Sequence, residues 1–297
     1  MIPEQRPEIP SPWERLELNG LKEVVLIVGA TDVGKTTFAR YLYEAISAEA
    51  LGSAAYLDGD PGQSILGPPA TLTLALGQKD SPAFPPTGRL FRYFIGSTTP
   101  RGHLLPALVG ANRLVQAGRE TGAGTIIYDT SGLIDPTQGG LALKSAEIDL
   151  LAPSVVFAIQ HEQELEPLLK PLRRSRRVKV IDLHPAEQAR RRSALDRRLH
   201  RAAQFASHFS GASAREIDWT QLPIFPYPSF RLNRLVALED LHGFTLSLGI
   251  ILQIDRPNRS LTLLTPLDSF DKVNALRMGD LLLDPRTFQD EIISSTQ

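Results

Sequence analysis

The chain has 297 residues, 42% hydrophobic and 22% charged, enough to bury one large core with a smaller satellite domain. With 32 Lys and Arg against 33 Asp and Glu the formal charge is −1, so overall electrostatics do not attract a polyanion, and any affinity for one must be local. The absence of cysteine excludes disulfides, thiolate zinc sites and a cysteine nucleophile, leaving oxygen and histidine as metal ligands.

Residues 1–20 carry four prolines and neither a basic nor an apolar stretch, so an N-terminal extension is expected there rather than a secretory signal. The longest apolar run, residues 24–28, has the length of a buried strand and is far too short for a membrane span, and a cytoplasmic protein is expected. Residues 36–49 show the three-and-four spacing of a helix, and residues 54–57 form the next strand. A Gly/Pro-rich stretch at 61–69 is followed by strands at 90–95, 125–128 and 155–159, separated by helical segments at 104–119 and 141–150. This alternation predicts an α/β fold with a mostly parallel sheet covered by helices.

Residues 185–210 read as one long helix with Leu195, Leu199, Ala202, Ala206 and Phe209 in a single apolar stripe and arginines opposite. Beyond Pro223 the pattern becomes strand-like. Residues 246–254 and 260–264 flank the turn Arg256-Pro257-Asn258-Arg259, and a short strand precedes Asp284-Pro285. The expected domains are the extension 1–20, an α/β domain 21–215 that includes an arginine-rich helical segment at about 185–210, and a small β-rich domain 216–297.

Gly29-Ala30-Thr31-Asp32-Val33-Gly34-Lys35-Thr36 fits G-x-x-x-x-G-K-Ser/Thr between a buried strand and a helix, the context this phosphate-binding loop requires. Its N–H groups and the helix N-terminus attract phosphate, Lys35 reaches the terminal phosphates, and the Thr36 hydroxyl ligates magnesium. Residues Gly29 to Thr36, with Thr37, are therefore the expected nucleotide-binding set. No Asn/Thr-Lys-x-Asp element for reading guanine follows the loop, which argues against a GTPase.

Leu57-Asp58-Gly59-Asp60-Pro61-Gly62-Gln63 ends the second strand, so two carboxylates project from its C-terminal edge toward the phosphate loop. Phosphoryl transfer asks for charge neutralisation and a base for the attacking hydroxyl. Asp60 is the candidate for both metal and base, with Asp58 in the metal shell; the alternative is a pair that caps a turn. Asp129, ahead of Thr130-Ser131-Gly132-Leu133-Ile134, is a candidate second catalytic carboxylate. Ser97-Thr98-Thr99-Pro100 is a hydroxyl-rich loop whose structural alternative is a helix N-cap.

From Lys170 to Arg201 basic residues far outnumber Asp182, Glu187 and Asp196. The run Arg173-Arg174-Ser175-Arg176-Arg177 is expected to meet strand phosphates or solvent. Arg197 and Arg201 are i,i+4 neighbours placed away from the Leu195/Leu199 stripe; the alternative is a solvated basic face. His103 is expected to be structural, or to face an acceptor. Trp13 and Trp219 are expected to be packing anchors, with adenine contact the alternative for Trp13.

In this order, Thr31-Asp32-Val33-Gly34-Lys35, Asp58-x-Asp60-x-Gly62-Gln63 and Gly96-Ser97-Thr98-Thr99-Pro100 resemble the polynucleotide 5′-hydroxyl kinase family. That family includes the kinase subunit of the eukaryotic pre-mRNA cleavage complex, nucleolar ribosomal-RNA-processing kinases, and archaeal and bacterial relatives. The resemblance spans about residues 24–284. It implies ATP and Mg2+ as cofactors and transfer of the γ-phosphate to the 5′-hydroxyl of RNA, or of DNA. It assigns Lys35, Asp60, Arg192 and Arg197 to catalysis, Thr36 to the metal alongside the Asp58 and Asp60 carboxylates read above, and Gln63, Thr98, Thr99, Gly132 and Leu133 to the acceptor strand. The family's lid pattern Arg-Ser-x-x-x-Arg is matched by Arg192-Ser193-Ala194-Leu195-Asp196-Arg197, with Phe209 at the spacing of its closing aromatic pair.

Leu133 departs from the family, which carries a base-stacking tryptophan there, and such stacking contributes roughly 1–3 kcal/mol. No obligate protein partner is expected, because about twenty residues leave no room for the N-terminal β domain of the eukaryotic members. The competing expectations are an ATP-holding assembly protein without turnover and, behind it, a GTPase.

Overall fold

The computed structural model describes residues 9–18, 21–48, 54–78, 83–185 and 192–293. Helix α1 (Ser11–Glu14) is followed by strand β1 (Glu23–Gly29), helix α2 (Lys35–Ala48), and strands β2 (Ala54–Gly59), β3 (Thr71–Leu76) and β4 (Leu90–Phe94). Helix α3 (Leu104–Glu120), strand β5 (Thr125–Thr130), helix α4 (Gly140–Leu151), strand β6 (Val155–Ile159), helix α5 (Glu166–Ser175) and strand β7 (Lys179–Leu183) complete this part of the chain. The sheet order is β4-β3-β2-β5-β1-β6-β7. Strand β1 pairs in parallel with β5 and β6, β2 with β5, and β6 with β7. The whole Val24 to Val28 run is buried, as expected of a central strand covered on both faces.

Trp13 is a packing anchor. It is buried edge-on against Phe38, centroids 5.0 Å apart, and Phe38 meets Phe157 edge-on at 4.9 Å. Strand β3 was not anticipated from the sequence. Its alternation of threonine and leucine lies next to a Gly/Pro-rich stretch, yet Thr71 and Thr73 are as buried as the leucines around them.

By its internal contacts the chain divides into two compact units. The first comprises Met1–Gly59, Leu74–Leu90 and Ala111–Arg191; the second comprises Asp60–Thr73, Phe91–Gly110 and Arg192–Gln297. Strands β3 and β4 and helix α3 run through both. The second unit holds helix α6 (Ala194–His208) and strands β8 (Ser213–Asp218), β9 (Ile224–Phe225), β10 (Arg234–Glu239), β11 (Thr245–Asp255), β12 (Ser260–Thr265), β13 (Ala275–Leu283) and β14 (Asp290–Ile292). Its sheet runs β14-β13-β10-β11-β12-β8, with β9 on β13. The expected start of the β-rich domain at residue 216 falls inside β8, which pairs antiparallel with β12.

Helix α6 is shorter than the segment expected at 185–210. Ser193 caps it: the Ser193 hydroxyl accepts the Asp196 N–H while the Asp196 carboxylate accepts the Ser193 N–H, a reciprocal capping box. Residues 186–191 lie outside the described residues, as do 1–8 and 19–20 of the expected extension. The apolar stripe is also corrected. Leu195 and Leu199 are 63% and 56% exposed, whereas Phe205 and Phe209 are buried. The inward line is Arg197, Arg201, Phe205 and Phe209, each four residues on; it starts polar and ends apolar, so its arginines disguised it. Phe209 stacks on Phe288 at 5.7 Å.

The imidazole of His208, on the same helix, accepts the Leu248 N–H at 3.2 Å. Burial, then the nearby Arg92 charge, lowers its pKa from 6.5 to about 4. The folded chain thus refuses a proton that the unfolded chain binds, and stability falls as pH drops from about 6.5 toward 4. The full loss is on the order of 3 kcal/mol. In denaturant titrations across this range, wild type should lose stability faster than His208→Gln, whose amide oxygen can still accept the Leu248 N–H; parallel curves would refute the assignment.

Candidate active site

Two groups of polar side chains stand out, one in each compact unit. In the first unit, the Gly29 to Lys35 loop joins β1 to α2, placing a helix N-terminus where an anion would bind. The Lys35 ammonium donates to the Ala30 carbonyl at 2.7 Å, and the Thr36 hydroxyl donates to the Asp129 carboxylate at 2.6 Å. Tyr56 donates to the same Asp129 oxygen at 3.0 Å. Burial, then the charges of Asp129 and Asp58, push the Tyr56 phenol well above its usual range, so it remains a donor. Asp58 is the register partner of Asp129 across β2 and β5, and both are buried. The Asp129 carboxylate on the Thr36 hydroxyl, with Asp58 its neighbour across the two strands, forms a hard-oxygen environment that suits magnesium.

Gly132 packs directly on the phosphate loop. A Cβ there would lie 2.5 Å from the Thr31 hydroxyl and 2.8 Å from its Cα, so only glycine permits this approach. Leu133, next to it, is half-buried. A cleft of about 510 Å³ opens beside the loop, lined by Ala30, Thr31, Asp32, Val33, His161, Glu162 and Glu164. The His161 to Glu164 segment carries no sequence motif. It follows β6, the parallel neighbour of β1, and that adjacency is the signal that could have found it.

Lys144 is a further missed residue. Its ammonium, fully buried, bonds the Glu147 carboxylate at 3.0 Å and reaches the Ser131 hydroxyl at 3.4 Å, while the Tyr128 phenol donates to Glu147 at 2.8 Å. Arg173, expected to meet strand phosphates or solvent, instead bonds the carboxylates of Glu166 and Asp182, tying α5 to β7.

In the second unit, one Asp60 carboxylate oxygen accepts the N–H groups of Gly62 and Gln63 at 2.9 and 3.0 Å, which fixes its orientation. A Cβ on Gly62 would lie 2.4 Å from the Thr98 carbonyl oxygen, so the Asp60 to Gln63 turn rests on the Ser97 to Thr99 loop. Gln63 accepts from the Arg192 guanidinium at 3.3 Å and donates to the Arg197 carbonyl over a long 3.5 Å. His200, between the helix arginines, contacts the Ser64 carbonyl at 3.0 Å. The fold therefore gathers Asp60, Gln63, Thr98, Arg192 and Arg197.

The alternative reading of Ser97-Thr98-Thr99-Pro100 as a helix N-cap does not hold, because α3 starts only at Leu104. Instead Thr99 accepts the Arg101 N–H at 3.2 Å within a turn. The His103 imidazole lies 2.9 Å from the Asp280 carboxylate, and that bond raises its pKa.

A glycine-bearing loop between a central parallel strand and a helix, with lysine and threonine at the helix start and a buried aspartate on the threonine, defines a P-loop nucleotide-binding protein. The chain belongs to the family described as mRNA cleavage and polyadenylation factor CLP1 P-loop, whose model matches residues 29–211. It is 31% identical over 230 residues to a polyribonucleotide 5′-hydroxyl-kinase of Pyrococcus furiosus, covering 74% of this chain and 63% of that protein, less than two thirds of its length. It is 25% identical over 320 residues to a polyribonucleotide 5′-hydroxyl-kinase of Methanocaldococcus jannaschii, covering 88% of this chain and 87% of that one. A solved wild-type Clp1p–Pcf11p complex superposes with a TM-score of 0.66 at 15% identity, over 89% of this chain and 75% of that chain, a likeness of fold.

Proposed function

We propose that this protein is an ATP-dependent polyribonucleotide 5′-hydroxyl kinase that moves the γ-phosphate of ATP onto the 5′-hydroxyl of RNA, with DNA as a second acceptor. The observation that carries the reading is the gathering of Asp60, Gln63, Thr98, Arg192 and Arg197 in the second unit. A nucleotide-holding scaffold has no use for a carboxylate of fixed orientation next to a glutamine that accepts from an arginine.

In the proposed reaction Lys35 and the N-terminus of α2 bind the ATP phosphates. Thr36, Asp129 and Asp58 would hold magnesium, which when bound neutralises charge on the phosphate oxygens. Asp60 accepts the proton of the 5′-hydroxyl as its oxygen bonds to the γ-phosphorus and the bond to the departing ADP breaks. Arg192 and Arg197 offset the negative charge of the phosphoryl group in transfer. Gln63, Thr98 and Thr99 bind the acceptor near its first phosphate, while Gly132 and Leu133 flank its terminal nucleotide.

The second reading, an ATP-holding assembly protein, draws on Leu133 standing where an aromatic is expected. ADP release separates the two. The kinase releases ADP when given a 5′-hydroxyl oligonucleotide and not when given its 5′-phosphorylated twin. Release that ignores the oligonucleotide, or a preference for GTP, would refute the kinase reading.

A further inference from the structure

The carboxylate of Asp290, on the short strand β14, is a buried polar group of the second unit that bonds two of its other elements and has no role assigned above. It accepts the Thr98 hydroxyl at 3.2 Å through one oxygen. It also receives the Arg201 guanidinium nitrogen Nε at 2.9 and 3.1 Å through its two oxygens. Its side chain is only 4% exposed, against 19% for Arg201. Next to it, Arg198 donates to Gln289 at 2.8 Å, a second tie between α6 and the turn that leads into β14.

A buried carboxylate requires donors to offset its lost hydration, and both of its donors come from elements carrying proposed site residues. Thr98 sits on the loop against Gly62, and Arg201 is one helical turn beyond Arg197 on the inward line of α6. An ion pair that merely closed the sheet edge would have no reason to include the Thr98 hydroxyl.

We infer that Asp290 is a positioning residue of the acceptor side: by taking the Thr98 proton in a hydrogen bond it presents the Thr98 oxygen as an acceptor for a hydroxyl of the acceptor strand, and it fixes the α6 arginine face beside it. This rests on the kinase reading. Asp290 itself touches neither substrate; its effect passes through Thr98 and Arg201. Losing the Thr98 bond lets that hydroxyl rotate away, so acceptor binding suffers while ATP binding, which uses residues of the first unit, does not.

The test is steady-state kinetics of the full chain with ATP and a 5′-hydroxyl RNA oligonucleotide, comparing wild type, Asp290→Asn, Asp290→Ala, Thr98→Val and the Thr98→Val/Asp290→Ala double variant, with melting temperatures alongside. Asp290→Ala should raise the acceptor KM roughly ten-fold, about the worth of one charge-assisted hydrogen bond, with the ATP KM unchanged. Asp290→Asn, which keeps an acceptor oxygen, should recover part of the loss. The double variant should lose little beyond the worse single one, because both break the same bond. An unchanged acceptor KM in Asp290→Ala, or ATP and acceptor constants that worsen together with the melting temperature, would overturn the inference and leave the kinase reading standing. No phosphorylation by the wild type would sink both.

Discussion

Asp60→Asn should lower the turnover number for phosphoryl transfer by about 10²–10⁴-fold, the usual worth of a general base, while ATP affinity stays within a few-fold of wild type. The asparagine oxygen can still accept the Gly62 and Gln63 N–H groups that orient Asp60, so the turn should survive the exchange. What is lost is the capacity to take a proton from the attacking hydroxyl. Single-turnover kinetics at saturating ATP and acceptor isolate this step. A loss that appears wholly in KM for either substrate would assign Asp60 to binding instead.

The second large effect concerns stability. Lys144→Met should destabilise the first unit by about 3–5 kcal/mol, because it strands the charge of Glu147 in a site where that side chain is 2% exposed. The Tyr128 phenol, the remaining donor to Glu147, cannot neutralise a full charge. Lys144→Met/Glu147→Gln should regain most of the loss, since the glutamine oxygen still accepts the tyrosine proton and no charge is left buried. Denaturant melts of the three proteins decide the matter. If the double variant is as unstable as the single one, packing rather than charge governs this position.

Which features could be read from the sequence follows from how far apart their parts lie. The phosphate loop was legible because its function is encoded in eight contiguous residues, Gly29 to Thr36, framed by a strand and a helix. The turn from Asp60 to Gln63 is equally contiguous, and there Asp60 caps the turn by accepting the Gly62 and Gln63 N–H groups, as the alternative reading had it. Lys144 and Glu147, three apart on α4, resemble an ordinary surface pair, and only the fold shows them buried under Tyr128 and Ser131. Asp290 lies 192 positions from Thr98 and carries no local motif.

Hydrophobicity alone is a misleading guide to the inner face of α6. The inward line opens with Arg197 and with Arg201, whose guanidinium bonds the Asp290 carboxylate, and turns apolar only at Phe205, whereas Leu195 and Leu199 are exposed. Ser193 has two explanations at once. It matches the arginine-serine pattern of the lid, and with Asp196 it is also the cap that starts the helix.

The most direct test of the central claim is transfer of γ-labelled phosphate from ATP, with magnesium, to matched 5′-hydroxyl RNA and DNA oligonucleotides, with Lys35→Ala run in parallel. Label should appear at the 5′ end, more on RNA than on DNA, and should vanish in Lys35→Ala. Tight ATP binding by the wild type with no label on either oligonucleotide would contradict the kinase assignment and leave an ATP-holding assembly protein in its place.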